Sequence, residues 1–339
     1  MGEALLSVSN LSIDIDSAIN PRLTRGESRF LKSIKDISFD IFPGEILGLV
    51  GESGAGKSLT ALAIAGLLDE RKKVRSGAIL FKNSGESRDL LKLPERDLQN
   101  IRGKEISIVF QEPISQLNPL LRVGEQITET LVLHGQKDKN KNKTHAKELI
   151  EKMKIRDSEK IMGSFPHQLS GGMCQRVMIA QAVICRPTLL IADEPTTALD
   201  EATEDQILAL LKEINSEFGT SILFISHDLK IIKNFCSRVL VMYSGRILEE
   251  GAAEDIFSRP AHEYTKGLLG CIPAGRAGRG KDLTVIPGKI PSLEEGHPPG
   301  CPFHPRCARA ELRCKGEFPP ERIIGDNHKT RCILEEDDV

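Results

Sequence analysis

The chain has 339 residues, which is enough for about two domains of roughly 150 residues each. Its 40% hydrophobic content allows a buried core and excludes a disordered chain or a small disulfide-stapled protein. The 46 basic and 48 acidic residues leave a net charge of −2, and there are no Trp and only two Tyr, which argues against a basic or aromatic-rich nucleic-acid binder.

Hydrophobic patterning predicts an alternation of strands and helices over most of the chain. The predicted elements are, in chain order, strands at 8–15, 34–41 and 46–50, a helix at 57–68, a mostly helical region at 86–168 with a strand at 106–110, a helix at 171–185, a strand at 189–192, a helix at 201–218 and a strand at 221–225. The lysine-rich run Lys137–Lys143 is typical of a solvated loop. This order predicts an α/β sheet with helices on its faces.

The composition changes after about Pro260. Residues 271–305 contain seven Pro and six Gly, too many for helices or central strands, which predicts a separate, loop-built tail. The N-terminus lacks the basic and apolar segments of a signal peptide, and no window holds the 18 apolar residues of a membrane span. We therefore expect a soluble chain that acts at a membrane only through partners.

A phosphate-binding loop follows the predicted strand at 46–50 and precedes a predicted helix. Its pattern, G-x-x-x-x-G-K-[ST], comprises Gly51, Glu52, Ser53, Gly54, Ala55, Gly56, Lys57 and Ser58. Glycines let backbone N–H groups turn toward a phosphate, and the helix start adds the positive end of its dipole. In this arrangement Lys57 contacts the β- and γ-phosphates, while Ser58 supplies a hydroxyl to Mg²⁺.

A second candidate half-site lies at the end of the predicted strand 189–192. Asp193 stands where open α/β sheets place their ligands, and it can hold Mg²⁺ through the water shell of the ion. Glu194 can orient and deprotonate an attacking water.

The segment Leu169–Arg176 resembles the signature of ABC-type ATPases, in which Ser170, Gly171 and Gly172 bind the γ-phosphate of the partner subunit's ATP. The other motifs of that family are present in the expected order. Gln111, which precedes the signature, resembles the Q-loop glutamine, which also ligates Mg²⁺, Asp200 in Ala198–Asp200 resembles the D-loop, and His227 resembles the switch histidine. The resemblance implies a P-loop NTPase fold with a RecA-like core, an antiparallel β subdomain and a helical subdomain at about 86–168. It also implies catalysis by Glu194, His227, Gln111 and Lys57, with ATP and Mg²⁺.

Further motifs are similar to the oligopeptide/dipeptide/nickel uptake branch of the family. They are Leu93–Glu95, Ile101–Lys104, Gln111–Pro113, Leu117–Pro119, Val123–Gln126, Val241–Arg246 and His262–Thr265. Two positions depart from the family pattern. Ile15 stands where members usually stack an aromatic side chain on adenine, with Phe30 as a possible substitute, and Cys174 stands where relatives commonly have Arg or Gln.

The eight cysteines form two sets of four. Cys174, Cys185, Cys236 and Cys271 are scattered among apolar residues and are expected to be small buried thiols. Cys301, Cys307, Cys314 and Cys332 lie in the tail with the spacing C-x₅-C-x₆-C-x₁₇-C, which predicts a metal centre in place of a missing core. The resemblance implies a [4Fe–4S] cluster. Zinc, with His304 as a further ligand, and unligated thiols remain alternatives.

Together these features predict an ATPase subunit of an ABC importer for di- or oligopeptides, with nickel or another small solute as the alternative cargo. We expect an ATPase domain at 1–257 and a C-terminal transporter-type domain at 258–339. The expected partners are a related second ATPase subunit forming a heterodimer, two membrane-spanning permease subunits and an extracytoplasmic solute-binding protein, with no nucleic acid. The expected location is peripheral, on the cytoplasmic face of the inner membrane.

Two other classes of function are consistent with parts of the sequence. An ABC ATPase in translation or DNA maintenance would lack a membrane partner, but such proteins carry two cassettes or a long coiled coil, which this chain lacks. The tail could instead be an independent metal-binding interaction module.

Overall fold

The computed structural model describes residues 2–16, 30–83, 85–197, 199–272, 285–289 and 298–334. The chain divides into two compact units, each made of several segments. The first unit comprises Met1–Leu5, Ile41–Ile46 and Phe81–Ile225, and the second comprises Leu6–Asp40, Leu47–Leu80 and Ser226–Val339.

Strands and α-helices alternate through much of the described chain. The strands are β1 (Leu6–Asp16), β2 (Phe30–Ile41), β3 (Ile46–Val50), β4 (Lys72–Asn83), β5 (Glu86–Asp89), β6 (Ile106–Val109), β7 (Leu189–Asp193), β8 (Ser221–Ser226), β9 (Arg238–Tyr243), β10 (Arg246–Ala252), β11 (Arg322–Gly325) and β12 (His328–Thr330). The helices are α1 (Lys57–Ile64), α2 (Glu95–Ile101), α3 (Pro113–Gln116), α4 (Val123–Leu133), α5 (Lys139–Lys152), α6 (Ser158–Gly163), α7 (Gly171–Val183), α8 (Glu201–Phe218), α9 (Leu229–Phe235), α10 (Ala253–Ser258) and α11 (Glu263–Gly270).

The first unit is built on the parallel strands β6, β7 and β8. Ile106 pairs with Leu189, and Leu189 pairs with Ser221. Every residue of β7 and β8 is buried, as expected for strands covered on both faces. Helix α7 packs on β6 and also contacts α3, α4 and α5. The strands thus deliver the residues after β7 to one edge of a buried sheet.

The second unit contains the parallel pair β3 and β9, with Leu47 opposite Arg238. Strand β10 continues from β9 in antiparallel orientation, β12 pairs with β10, and β11 pairs with β12. Strands β2, β1 and β4 lie side by side in another sheet. The buried strand β3 leads directly into the phosphate loop, and helix α1 follows that loop.

Most predicted elements occur close to their predicted positions, and the bounds of α8 agree with the prediction. Two predictions are wrong in part. The run Lys137–Lys143 is not a loop, because α5 begins at Lys139, where the Asp138 side chain accepts hydrogen bonds from the N–H groups of Asn140 and Lys141. The helix predicted at 57–68 ends at Ile64, and Gly66 follows with a positive φ.

The tail is also more regular than its composition predicted. Helix α11 follows Pro260, and the hairpin β11–β12 joins the sheet of the second unit through β10. The described parts of the tail therefore contain a helix and two strands in addition to the predicted loops. No helix within the described residues is both long and apolar enough to cross a membrane.

Candidate functional site

The phosphate loop belongs to the second unit and runs from the end of β3 to the start of α1. Gly51 has a φ of +154°, and a Cβ at this position would lie 2.0 Å from the carbonyl oxygen of Met242. Gly56 precedes α1 with a φ of +105°, which side chains other than glycine rarely tolerate. Both glycines are therefore required by the backbone and not only by a ligand.

Lys57 is buried, and its ammonium group points back into the loop. Its Nζ donates hydrogen bonds to the carbonyl oxygens of Gly51 at 2.8 Å and Glu52 at 3.2 Å. A cation is thus held where the loop N–H groups and the first turn of α1 favour an anion. Ser58 is exposed on that first turn, and Ser53 and Gly54 are exposed in the loop.

Sequence reasoning assigned Glu52 to the loop but missed what holds it. The N–H of Glu52 donates to Tyr264 Oη at 2.9 Å, and Arg306 contacts both carboxylate oxygens. These partners lie more than 200 residues away in the chain, so spacing within the motif gave no sign of them.

In the first unit, Gln111 and Glu194 are brought together. Gln111 Nε2 donates to Glu194 Oε2 at 3.3 Å, and Thr197 Oγ1 donates to the same oxygen at 3.0 Å. Glu194 has a φ of +49°, while its N–H donates to the Ile225 carbonyl at 2.9 Å. A non-glycine residue in this conformation is held there by its surroundings, which often marks a functional position. Thr197 was not among the predicted site residues.

Asp193 belongs to the first unit and His227 to the second. Asp193 is the last residue of β7 and is buried, whereas His227 is exposed just after β8. Asp228 follows His227 and caps α9 by accepting a hydrogen bond from the N–H of Lys230 at 2.7 Å.

The signature segment forms the start of helix α7 in the first unit. Ser170 caps this helix by accepting a hydrogen bond from the N–H of Met173 at 3.3 Å. Ser170 and Gly171 are exposed, so the first turn of α7 presents its N-terminal end to solvent. Cys174 points inward, where its Sγ contacts the Pro166 carbonyl at 3.5 Å and burial raises the pKa of its thiol.

Asp200 is the N-cap of α8. Its carboxylate accepts from the N–H of Thr203 at 3.0 Å and from Thr203 Oγ1 at 2.7 Å. Both bonds lower the pKa of Asp200, and the bond from the Thr203 hydroxyl has the larger effect. The methyl group of Thr203 lies 2.9 Å from where a Cβ on Gly172 would stand, so Thr203 links the signature to Asp200. Ala198, the first residue of the predicted D-loop, lies outside the described residues.

The four tail cysteines lie in one region of the second unit. Cys314 and Cys332 are buried with Leu334, Cys307 packs against them, and the N–H of Cys301 donates to the Cys314 carbonyl at 2.9 Å. Burial, and to a smaller extent the other three thiols, raise the pKa of the Cys301 thiol to about 12. All eight cysteines are free thiols, yet the described part of the chain contains no group of three or more His, Cys, Asp or Glu residues arranged to hold a single metal ion.

His262 links this cysteine region to the core. The N–H of Tyr264 donates to His262 Nδ1 at 3.0 Å, and Nε2 lies 3.7 Å from Cys301 Sγ. Because Nδ1 accepts, the proton of the neutral ring is on Nε2, which can donate to the sulfur. Burial lowers the pKa of His262 to about 4.

Two other sequence predictions concern the four scattered cysteines and the adenine-stacking position. Cys174 and Cys236 are buried and Cys185 is half-buried, but Cys271 is exposed because it ends helix α11 at the surface. Ile15 is half-buried in β1, while the side chain of Phe30 lies outside the described residues.

Two segments of this chain match known protein families. Residues 34–197 match the family model described as ABC transporter, and residues 248–314 match the one described as oligopeptide/dipeptide transporter, C-terminal region. The oligopeptide transport ATP-binding protein OppD of Escherichia coli (strain K12) is 42% identical over 326 residues, covering 95% of this chain and 92% of that protein. The dipeptide transport ATP-binding protein DppD of Bacillus subtilis (strain 168) is 42% identical over 335 residues, covering 98% and 96%.

A solved structure also resembles the chain. The ATP-binding cassette MJ0796, in a dimeric post-hydrolysis state bound to ADP and Pi, superposes with a TM-score of 0.62 and 28% identity, covering 73% of this chain and 98% of that chain.

Proposed function

This chain belongs to the ABC transporter ATP-binding family, in the branch with an oligopeptide/dipeptide transporter C-terminal region, and we propose that it powers the uptake of di- or oligopeptides across the cytoplasmic membrane. The predicted ABC ATPase fold and activity are thereby confirmed. The observation that carries the proposal is the phosphate loop, in which Lys57 Nζ donates to two loop carbonyl groups. The chain that contains this loop resembles peptide-transport ATPases over more than 90% of its length.

The proposed roles follow from the chemistry of the residues present. In the second unit, loop N–H groups and Lys57 bind the phosphates, and His227 stabilises charge on the γ-phosphate. In the first unit, Glu194 accepts the proton of an attacking water, and Gln111, which contacts it, senses the γ-phosphate. Ser170 and Gly171 present a helix start suited to the γ-phosphate of a partner subunit's ATP.

Both units also carry oxygen donors that suit Mg²⁺. The Ser58 hydroxyl lies in the second unit, and the Gln111 amide oxygen and the Asp193 carboxylate lie in the first. When bound, the ion would neutralise charge on the β- and γ-phosphates.

The proposed partners are a related second ATPase subunit, two permease subunits and, through these, a solute-binding protein. Within this proposal residues 1–257 form the ATPase domain, residues 86–168 contact the permease, and residues 258–339 form the transporter-type C-terminal domain. The chain would then act at the cytoplasmic face of the membrane as a peripheral subunit.

Reconstitution of the assembled transporter tests the function. The tagged chain is purified from membranes, its partners are identified by mass spectrometry, and the complex is placed in liposomes with its solute-binding protein. We expect ATP-dependent uptake of labelled di- or tripeptides that is absent with Glu194→Gln. Uptake of Ni²⁺ but not peptide would contradict the cargo, and co-purification with ribosomes or DNA instead of permeases would contradict the transport role.

We further propose that the tail cysteines hold an iron–sulfur cluster. Four free thiols in one buried region match the Cys₄ donor set of a [4Fe–4S] centre. The zinc alternative is less well supported, because structural zinc sites favour C-x₂₋₄-C pairs, which the spacing of the tail cysteines lacks. When bound, the cluster would supply a cross-link within the C-terminal segment.

A further inference from the structure

Arg306 forms a two-pronged ion pair with Glu52 of the phosphate loop. Its Nη1 donates to Glu52 Oε2 at 2.7 Å and its Nη2 donates to Oε1 at 3.0 Å. The Arg306 side chain is only 5% exposed, and that of Glu52 is 28% exposed. Paired, parallel bonds of this kind are stronger and more directional than a single charged contact. Their strength increases further because little water reaches the Arg306 side chain.

Contacts with other residues also hold the Arg306 guanidinium group in position. Arg306 Nε donates to the Pro287 carbonyl at 2.8 Å, and Nη1 also lies 3.3 Å from Tyr243 Oη. The group lies near the rings of Tyr243 and Phe303 as well. Arg306 is therefore a preorganised donor, held by the C-terminal segment and by β9.

The backbone of Glu52 is held from the same side. Its N–H donates to Tyr264 Oη at 2.9 Å, and Tyr264 is fully buried against Tyr243 and Phe303, with ring centroids 4.6 and 5.2 Å away. The only two tyrosines of the chain thus both serve this contact. The carbonyl of Glu52 in turn accepts a hydrogen bond from Lys57 Nζ. Glu52 therefore connects Arg306 and Tyr264 to the phosphate-binding lysine.

We propose that Arg306 is a positioning residue for nucleotide binding, acting through Glu52. It fixes the shape of the phosphate loop before ATP arrives, and it neutralises a carboxylate that would otherwise repel the triphosphate. The inference rests on the proposed role of this loop in ATP binding. It also gives the C-terminal segment a direct part in the ATPase site, beyond any cluster it holds.

A mutant cycle on the full-length chain tests this inference. Arg306→Met keeps much of the apolar stem but leaves the Glu52 carboxylate unpaired, and we expect the Kd for MgATP to rise roughly tenfold, equivalent to about 1.4 kcal/mol. Adding Glu52→Gln removes the repulsive charge and is expected to bring the Kd back to within about threefold of wild type. Calorimetric titration at low and high salt measures both effects, and screening should narrow the difference between wild type and Arg306→Met.

The control is Arg309→Met, which removes another arginine of the same segment that pairs with Glu263 at 3.2 Å. Its MgATP affinity should equal that of wild type. If Arg306→Met does not fold, Arg306→Lys is measured in its place as a single variant, since lysine keeps the charge but loses the two-pronged geometry, and a rise of about threefold in the Kd is expected.

Several outcomes would overturn the inference. One is an unchanged Kd in Arg306→Met, or in Arg306→Lys when that variant stands in for it. Another is a loss of affinity in Arg306→Met that Glu52→Gln does not relieve, which would assign Arg306 a purely structural role. Failure of the wild-type chain to bind MgATP would instead contradict the proposed function, so the two failures are distinguishable.

Discussion

The side chains of Gln111 and Glu194 meet at a 3.3 Å hydrogen bond, although 83 residues separate them in the chain. Thr197 donates to the same carboxylate oxygen from the turn that follows β7. The two donors hold the carboxylate in one orientation. A general base fixed in this way is suited to aligning a single water molecule.

Replacing Glu194 with Gln should therefore separate ATP binding from hydrolysis. The amide keeps the size of the side chain but cannot accept a proton, so we expect kcat to fall by about 10²–10⁴-fold, with the Kd for MgATP nearly unchanged. The measurement is phosphate release by the assembled complex, with Glu217→Gln, at an exposed position on α8, as the control. Undiminished turnover would remove Glu194 from this role.

The two signature glycines should respond differently to alanine. A Cβ on Gly171 would meet nothing within 4 Å, whereas one on Gly172 would lie 2.9 Å from Thr203 Cγ2. Because alanine favours a helix over glycine by about 0.8–1.0 kcal/mol, Gly171→Ala should hold or raise the thermal midpoint, and Gly172→Ala should lower it. Thermal unfolding followed by circular dichroism measures both.

The double variant Gly172→Ala, Thr203→Ser tests the cause of this difference. Serine removes the obstructing methyl group but keeps the hydroxyl that donates to Asp200. Recovery of the thermal midpoint in the double variant is the expected result. An equal loss of stability in Gly171→Ala and Gly172→Ala would show that the contact with Thr203 is irrelevant.

The proposed cluster predicts a difference between two buried cysteines. Cys332 is buried among the tail thiols, and Cys174 is buried in α7 far from them in sequence. After anaerobic purification we expect Cys332→Ser to lose bound iron and sulfide together with the visible absorption of the cluster, and Cys174→Ser to retain them. Zinc in place of iron, or equal metal content in the Cys332→Ser variant and wild type, would contradict the cluster.

Contiguous motifs made much of the site predictable from the sequence. The phosphate loop needs its residues in one short segment between a strand and a helix, so its pattern located both the strand and the helix start. Glu194 was predicted from its place after the strand at 189–192, whereas Gln111 was found by resemblance to a family. No local rule brings residues 83 positions apart together. The contacts of Arg306 and Tyr264 with Glu52 could not be found either way, since they depend on how the tail folds back onto the second unit's own strands.

Errors in the fold prediction also have physical causes. The lysine-rich run at 137–143 was assigned to a loop by its charge, but lysine is a good helix former and Asp138 supplies the cap, so α5 begins within it. The hairpin β11–β12 was missed because its strands are only four and three residues long and depend on pairing with β10. Short edge strands of this kind carry little pattern of their own.

The carboxylate of Glu249 ties this hairpin to the core. It accepts from His328 Nε2 on β12 at 2.8 Å and from the N–H groups of Ala261 and His262 at 2.7 and 2.9 Å. Burial alone would raise the pKa of Glu249, but the hydrogen bonds from His328, Ala261 and His262 outweigh it and the pKa is lowered. The folded state thus favours the ionised carboxylate.

Glu249→Gln should therefore destabilise the hairpin in a pH-dependent way. Gln presents an amide group to donors, so we expect a loss of about 1.5–3 kcal/mol at neutral pH. A lowered folded pKa stabilises wild type fully above the ordinary value of 4.5, and this stability is lost as the pH falls through the folded pKa. The difference between variant and wild type should consequently stay constant near pH 7 and shrink below about pH 4.5.

Hydrogen exchange of the segment 322–331 measures this difference, with both proteins compared at each pH so that intrinsic exchange rates cancel. The N–H of Arg331, which donates to the Leu248 carbonyl at 2.8 Å, reports directly on docking of the hairpin. Glu254→Gln, at an exposed position in α10, is the control and should change protection by less than about 0.5 kcal/mol. A loss in Glu249→Gln that persists unchanged at pH 3.5 would mean that the clash of the amide group with the surrounding donors, rather than the missing charge of Glu249, causes the loss.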